Sequence, residues 1–150
     1  MNNSASYDAT EVPPVAFKNR FFPHLLPVDI AVWERFLALH GKAYSKFDYD
    51  VRVGVGRDPG DIVPETIRIM AVKLSQRRID AVGWTPNRLD IIEITTDAGL
   101  TAIGQLEAYP RLYKAKFQPT TSLRPVLVCE SIQTDLQTTL DELDVVVYIV

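Results

Sequence analysis

Residues 77–95 have the sequence RRIDAVGWTPNRLDIIEIT, in which two largely apolar runs flank a short polar segment. The first run, residues 77–84, is predicted to form a β-strand, and residues 89–95 are predicted to form another. The intervening residues 85–88, Thr-Pro-Asn-Arg, have the proline and asparagine that are typical of a turn. The stretch therefore predicts a β-hairpin.

Two acidic residues lie on this hairpin, Asp80 in its first strand and Glu93 near the end of its second. A tight turn places such residues close together across the sheet. Two converging carboxylates can hold Mg²⁺, which prefers oxygen ligands, and the ion could then activate water and neutralise charge at a phosphodiester. The simpler interpretation is that both acids belong to the solvated face of a hairpin, and both interpretations stay open here.

The segment before the hairpin predicts a helix, a strand and one ambiguous element. Asp29 is a candidate N-cap for a helix that continues to His40, and Gly41 is suited to end it. Residues 47–54 alternate apolar and polar side chains and predict a strand with one buried face. Glycines and prolines then predict a loop, and residues 65–75 fit a helix and a strand equally well.

The segment after the hairpin predicts helices that alternate with strands. Residues 98–117 carry apolar side chains at helical spacing, and Pro110 is expected to kink or interrupt this helix. Residues 125–132 predict a buried strand, residues 134–143 a helix and residues 145–150 a last strand. Strands separated by helices are joined by parallel crossovers, so we expect a mixed sheet with an antiparallel N-terminal part.

The composition indicates one compact domain. Of the 150 residues, 47% are hydrophobic and 23% charged, and no run approaches the roughly 18 apolar residues of a membrane helix. The net charge of −3 counts against tight non-specific binding to duplex DNA. Cys129 is interpreted as a core residue of a protein made in a reducing compartment. His24 and His40 lack metal-binding neighbours and are interpreted as structural.

Residues 1–28 are interpreted as an extended, proline-rich N-terminal arm, and residues 29–150 as the folded domain. Prolines at this density, from Pro13 to Pro27, exclude a continuous helix. The same segment carries phenylalanine, valine and leucine, which usually pack against something. The arm either wraps around its own domain or docks on a partner protein, and the sequence leaves both open.

The order of the elements, together with the hairpin acids, resembles the PD-(D/E)XK nuclease superfamily over residues 29–150. The matching pieces are Ile79-Asp80-Ala81-Val82 and Ile92-Glu93-Ile94-Thr95. The resemblance implies an α/β fold with a restriction-endonuclease-like mixed β-sheet. It has an αβββαβ core and a C-terminal αβ unit, flanked by helices, and the arm would precede it.

The resemblance also implies the residues of a site. Asp80 and Glu93 would bind Mg²⁺, joined by Glu34 on the first helix. Gln105, within Gly104-Gln105-Leu106, matches a glutamine that is common on the helix after the hairpin.

The sequence departs from this pattern at Thr95, which replaces the family's lysine. That lysine positions or activates the attacking water and stabilises developing charge, and a neutral hydroxyl is a poor substitute. Loss of one such electrostatic group typically lowers the rate by a factor on the order of 10²–10³. Lys73, Arg77 or Arg78 could supply the charge from another position in the fold.

A second resemblance, to small proteins encoded by tailed bacteriophages, bears on function. It rests on the proline-rich arm and on the motifs Leu26-Pro27-Val28-Asp29-x-x-Val32-Trp33, Tyr49-Asp50-Val51-Arg52-Val53-Gly54, Arg78-Ile79-Asp80-Ala81-Val82-Gly83 and Gly104-Gln105-Leu106-x-x-Tyr109. It implies a non-enzymatic structural protein of the virion head, neck or tail, made in the host cytoplasm and built on a decayed nuclease fold. The arm would bind other virion proteins, the copies would form a homo-oligomeric ring, and no cofactor or membrane would be involved.

The alternative is a cytoplasmic, Mg²⁺-dependent DNA endonuclease that uses Asp80 and Glu93 as metal ligands, with Glu34 and Gln105 in support. A third possibility is a protein that binds DNA ends or junctions without cleaving them. The sequence leaves open whether DNA is contacted at all.

Overall fold

The computed structural model describes residues 6–7, 22 and 24–150, with side chains for residues 22 and 24–150. Most of the N-terminal arm (residues 1–5, 8–21 and 23) lies outside the described residues. In chain order, the strands and helices are β1 (Ser6–Tyr7), α1 (Pro27–His40), β2 (Lys46–Val53), α2 (Glu65–Ser75), β3 (Arg77–Trp84), β4 (Arg88–Ala98), α3 (Leu100–Phe117), β5 (Ser122–Ile132), α4 (Gln137–Glu142) and β6 (Val146–Ile149).

In the described part of the chain, the strands form one six-stranded sheet whose spatial order follows chain order, from β1 at one edge to β6 at the other. Strands β1 to β4 are antiparallel neighbours, whereas β5 and β6 run parallel to β4. The predicted α/β class and the mixed sheet with parallel crossovers are therefore confirmed. Residues 65–75, which fitted two structures, form the helix α2.

The predicted hairpin is formed by β3 and β4. Ala81 lies opposite Ile92, and Trp84 lies opposite Leu89. The turn is closed where the N–H and the hydroxyl of Thr85 both donate to the carbonyl oxygen of Arg88 at 3.0 Å.

The sheet is covered by α1 on one face and α3 on the other. Alternate residues of a strand point to opposite faces, so Ile92 packs with Trp33 of α1 while Ile91 packs with Tyr109 of α3. Cys129 is buried on the α3 side, as the sequence predicted for a core residue. The result is a three-layer arrangement whose central strands are buried on both faces.

Three helix details differ from the sequence predictions. Helix α1 begins at Pro27 after the N-cap Leu26, so the prediction that Asp29 caps it is wrong; proline suits the first helical position because the missing N–H would be unpaired there anyway. Helix α1 ends at His40 with Gly41 as its C-cap, as predicted, but Gly41 has a right-handed φ of −55° and starts a 3₁₀ turn. Pro110 lies inside α3 without interrupting it. No helix in the described residues has the length and apolarity needed to cross a membrane.

Several described residues of the arm pack on their own domain. Phe22 is fully buried, with its ring centroid 5.0 Å from that of Tyr49, and Leu25 is also buried. Tyr7 pairs with Phe47 at the edge of the sheet. The end of the arm therefore contributes to the core.

Candidate functional site

Asp80 and Glu93 lie at the open end of the β3–β4 hairpin. The β3–β4 ladder ends at the pair of Ala81 and Ile92, so Asp80 and Glu93 follow directly at its open end, and both line the same cleft. Oδ2 of Asp80 accepts a hydrogen bond from the N–H of Ile94 at 2.9 Å, which fixes its orientation. The structure thus brings together the two acids that the sequence singled out.

Both acids line a cleft of about 580 Å³ between the hairpin, the start of α1 and the first turns of α3. The α3 side is formed by residues from Gly99 to Gln105. The N-terminus of α3 directs the positive end of its helix dipole toward this cleft, which favours negative charge there.

Two further predicted site residues, Thr95 and Gln105, also line the cleft. Thr95, which the sequence resemblance aligns with a lysine, is half-buried. Gln105 forms a hydrogen bond with Glu93 and donates another from Nε2 to the hydroxyl of Tyr109 at 3.2 Å. Gln105 therefore connects the carboxylate of Glu93 to α3.

Glu34 does not line the cleft, and Asp29 of the same helix does. Five residues separate the two along α1, which rotates one roughly 140° from the other around the helix axis. One side chain alone can therefore face the hairpin, and it is Asp29, whose Oδ1 accepts a hydrogen bond from the hydroxyl of Thr96 at 3.3 Å. The sequence interpretation missed Asp29 because it assigned this residue to helix capping.

His24 is a second cleft residue that the sequence interpretation did not place in the site. Its Nε2 lies 2.9 Å from the carbonyl oxygen of Asp80 and donates to it, whereas Nδ1 is buried without a hydrogen-bond partner among the described residues. Burial lowers the pKa of His24. No spacing in the sequence signals this contact, because the segment before α1 folds back onto β3.

The cleft is acidic. Its described lining residues include four acids and no lysine or arginine; the acids are Asp29, Asp80, Glu93 and Asp97. The proposed replacements for the lysine lie elsewhere: Lys73 lines a separate groove, and Nε of Arg78 lies 3.4 Å from Oδ1 of Asp50. Arg77 is exposed and is not part of the cleft lining.

The electrostatics of the cleft favour protonated acids. Burial, reinforced by repulsion from Asp29 and Asp50, raises the pKa of Asp80 to about 7, although the N–H of Ile94 works in the opposite direction. Burial also raises the pKa of Glu93, with further repulsion from Asp80 and Asp29. Both carboxyl groups therefore hold their protons to higher pH than exposed carboxyl groups do, and a bound cation would compete with those protons.

The carboxyl groups do not form a complete protein-made metal cage. Within the described ranges, no three His, Cys, Asp or Glu side chains are placed so that they could hold a metal ion together. Mg²⁺ keeps several waters and is bound by one or two carboxylates in many proteins, so Asp80 and Glu93 remain a chemically suitable pair.

Asp90, also on β4, is a second buried acid, and it is fully paired. It accepts hydrogen bonds from the hydroxyl of Tyr44 at 2.7 Å, from Nη2 of Arg124 at 2.7 Å and from Nε of Arg88 at 3.0 Å. Asp90 and Arg124 are register partners on the parallel strands β4 and β5. This network is structural and lies outside the cleft.

Comparisons with known proteins give no relative. No protein-family model matches the chain, and no curated protein or solved structure is significantly similar to it.

Proposed function

We propose that this chain is a non-enzymatic assembly protein built on a nuclease-like fold, and specifically a structural component of a tailed-bacteriophage virion. The observation that supports assembly most directly is an apolar stripe on α2. Ile67, Met70 and Leu74, at helical spacing, are 53%, 61% and 67% exposed. Soluble domains rarely present several large apolar side chains together unless another surface covers them.

The opposite side of α2 is already used by the protein. Arg68 donates to Asp58 at 2.7 Å and to Asp61 at 2.6 Å, and Ser75 accepts from the N–H of Arg57 at 2.6 Å. These contacts hold α2 to the loop before it. They hold the helix with its apolar stripe exposed.

The same loop packs closely against α2. Gly56 has a φ of +71°, and a Cβ at this position would lie 2.3 Å from the carbonyl oxygen of Val72. No residue of α2 is buried. The loop and Arg52 of β2, whose Nη1 donates to the carbonyl oxygen of Lys73 at 2.8 Å, therefore hold α2 in place, and its apolar side chains remain available to a partner.

The chemistry of the cleft also supports a non-enzymatic role. A phosphodiester brings negative charge, and its transition state brings more, yet the described lining offers acids and the neutral Thr95 at the lysine position. The nuclease-like fold and the virion location are parts of the proposal that rest on the sequence resemblances. The arm would bind neighbouring virion proteins, and the copies would form a ring.

The virion proposal is tested with purified phage particles. Quantitative mass spectrometry should find the chain at a fixed copy number per particle. A variant lacking residues 1–21, which keeps the buried Phe22 and Leu25, should fold but fail to incorporate. If the chain stays in the supernatant when particles are pelleted, the virion proposal is wrong.

A metal-dependent DNA endonuclease is the second candidate, favoured by the convergence of Asp80 and Glu93 in one cleft. Purified protein would be incubated with plasmid and Mg²⁺ or Mn²⁺, beside Asp80→Asn as control. Under the first proposal the wild type nicks no more than the control. Metal-dependent nicking that disappears in Asp80→Asn would overturn the non-enzymatic role.

Thr95→Lys separates a decayed catalytic site from an unrelated one. If the fold descends from a nuclease, a lysine in the half-buried position of Thr95 restores a cation beside Asp80 and Glu93. Weak metal-dependent nicking by this variant, with none by the wild type, would support the decayed site. A Thr138→Lys variant controls for the added charge, because Thr138 is exposed on α4 and is not among the cleft residues.

A further inference from the structure

Charge is divided unevenly between two parts of this molecule. Residues 52–78 carry six Lys or Arg and three Asp or Glu, a net charge of +3 in a chain whose overall net charge is −3. Residues 125–150 carry five Asp or Glu and no Lys, Arg or His, a net charge of −5. The two parts are therefore complementary in charge.

The basic part contains the apolar stripe of α2, defined by Ile67, Met70 and Leu74. Lys73 is exposed beside this stripe. The acidic part contains a surface that we call the acidic edge, defined by Asp141, Glu142, Leu143, Asp144 and the outer strand β6. Its three acids are exposed, Leu143 is half-buried, and Ile149 of β6 is 64% exposed. Each surface combines apolar side chains with one sign of charge.

The two surfaces lie at diagonally opposed corners of the sheet. β2 and β6 are four strand spacings apart, roughly 19 Å at the usual strand separation. The direction of the strands separates them along the other axis as well. Helix α2 precedes β3 at the end where β4, β5 and β6 finish, whereas residues 141–144 precede β6 at the opposite end. One copy of the chain cannot bring its own two surfaces together.

We propose that the apolar stripe of one copy docks on the acidic edge of a second copy, so that the chain self-associates head to tail. This inference rests on the proposed function and names one partner for it. In such a contact Lys73 faces Asp141, Glu142 and Asp144, while the stripe covers Leu143 and Ile149. A contact between two different surfaces repeats from copy to copy, and it closes into a ring or continues as a filament.

A symmetric pairing of two α2 helices fits the observations less well. It would place two regions of net charge +3 against each other, which costs free energy. The head-to-tail contact instead places opposite charges against each other, and the stripe covers Leu143 and Ile149 of the acidic edge.

The first experiment measures self-association of the full chain by sedimentation velocity over a range of protein and salt concentrations. We expect concentration-dependent oligomers that weaken as salt screens the charges. Ile67→Asp, on the stripe, should weaken association at least tenfold. Ile69→Asp is the matched control, because Ile69 is 60% exposed on the same helix but points away from the stripe. Equal effects of the two variants would overturn the proposal.

The second experiment tests the head-to-tail geometry by mixing two defective chains. Ile67→Asp keeps an intact acidic edge, and a double variant with Asp141→Lys and Glu142→Lys keeps an intact stripe. Each alone should be monomeric, and the mixture should form a dimer with one copy of each. A mixture that stays monomeric would overturn the head-to-tail contact, and so would a double variant that self-associates like the wild type.

Binding to a membrane surface is the rival explanation of a basic helix with an apolar face. A wild type that remains monomeric overturns the proposal. If it also binds vesicles of anionic phospholipid and Ile67→Asp does not, the stripe is a membrane-binding surface instead. The virion test is independent: a self-associating chain that is absent from particles contradicts the proposed function alone. A chain present in particles but monomeric in solution, with no rescue on mixing, contradicts this inference alone.

Discussion

Two acids are buried on the same strand β4 in opposite electrostatic surroundings. Asp90 is surrounded by donors, with two arginines and a tyrosine satisfying both of its oxygens. Glu93 is buried next to other acids, and its Oε2 has no hydrogen-bond partner among the described residues. One end of the strand uses a buried charge to join β4 to β5, and the other holds an acid that has no positively charged partner among the described lining residues of the cleft.

The comparison separates a structural acid from a candidate site. Burying a carboxylate is costly unless it is paired and hydrogen-bonded. Asp90 meets this condition within the chain, so its removal should harm the fold. Glu93 and Asp80 do not meet it, so their removal should relieve the fold, and that opposite sign is the measurable mark of a site kept for something other than stability.

The largest expected change in the free energy of unfolding is that of Asp90→Asn. Loss of the charge leaves Arg124 and Arg88 without their anionic partner, which should lower the free energy of unfolding by about 3 kcal/mol; this is the lower end for a buried pair, because both arginines keep some contact with water. Urea denaturation at neutral pH measures it. Asp135→Asn, at an exposed position outside both the Asp90 network and the cleft, is the control and should change little.

The second effect has the opposite sign and depends on pH. The pKa of Asp80 and that of Glu93 are raised in the folded state, so between pH 4 and about 7 the folded chain binds more protons than the unfolded chain. Stability should therefore fall as pH rises through this window, by up to about 1.4 kcal/mol per pH unit for each excess proton. Glu93→Gln should flatten this slope and stabilise the protein at pH 7.5 by about 1 kcal/mol. A slope that is unchanged in Glu93→Gln would show that the acids do not interact as described.

The third effect tests whether a cation can supply what the cleft lacks. Millimolar Mg²⁺ or Ca²⁺ should raise the melting temperature more at pH 8 than at pH 5.5, because protons compete with the ion for Asp80 and Glu93. An ion at about ten times its dissociation constant stabilises by about 1.4 kcal/mol. The effect should vanish in Glu93→Gln and persist in Asp90→Asn. Equal stabilisation of wild type and Glu93→Gln would place the ion elsewhere.

The smallest effect is expected from Tyr44→Phe, which removes one neutral donor from Asp90 and leaves both arginines. The expected loss is about 1 kcal/mol. Thermal unfolding of wild type, Tyr44→Phe and Asp90→Asn would rank the three, and a Tyr44→Phe loss as large as that of Asp90→Asn would mean that the hydroxyl, and not the charge pairing, dominates the network.

The hairpin acids could be predicted because a short turn fixes the register. Once residues 77–95 form a hairpin, Asp80 and Glu93 must lie near each other. Asp29 and His24 could not be found in this way, because the packing of segments distant in the chain brings them to β3 and β4. Glu34 was predicted as a site residue from the family resemblance, but the orientation of α1 places Asp29 in the cleft instead.

Other parts of the fold were hidden from sequence for different physical reasons. Residues 65–75 carry isoleucines at positions that fit both periodicities, and since no residue of α2 is buried, core packing does not settle the matter. The helix is held instead by the contacts of Arg68 with the preceding loop, which the sequence pattern does not reveal. The pairing of Asp90 with Arg124 depends on the parallel register of β4 and β5, which a long crossover separates in the sequence.

The connection between β2 and β3 carries one more consequence. Val53 lies directly opposite Arg77, so the strands end where a two-residue turn could join them. Residues 54–76 are therefore a removable module on a hairpin that does not need them. Replacing the module with Asn-Gly should leave a folded domain. This position in the chain can therefore accept a segment of different length or sequence without disturbing the sheet.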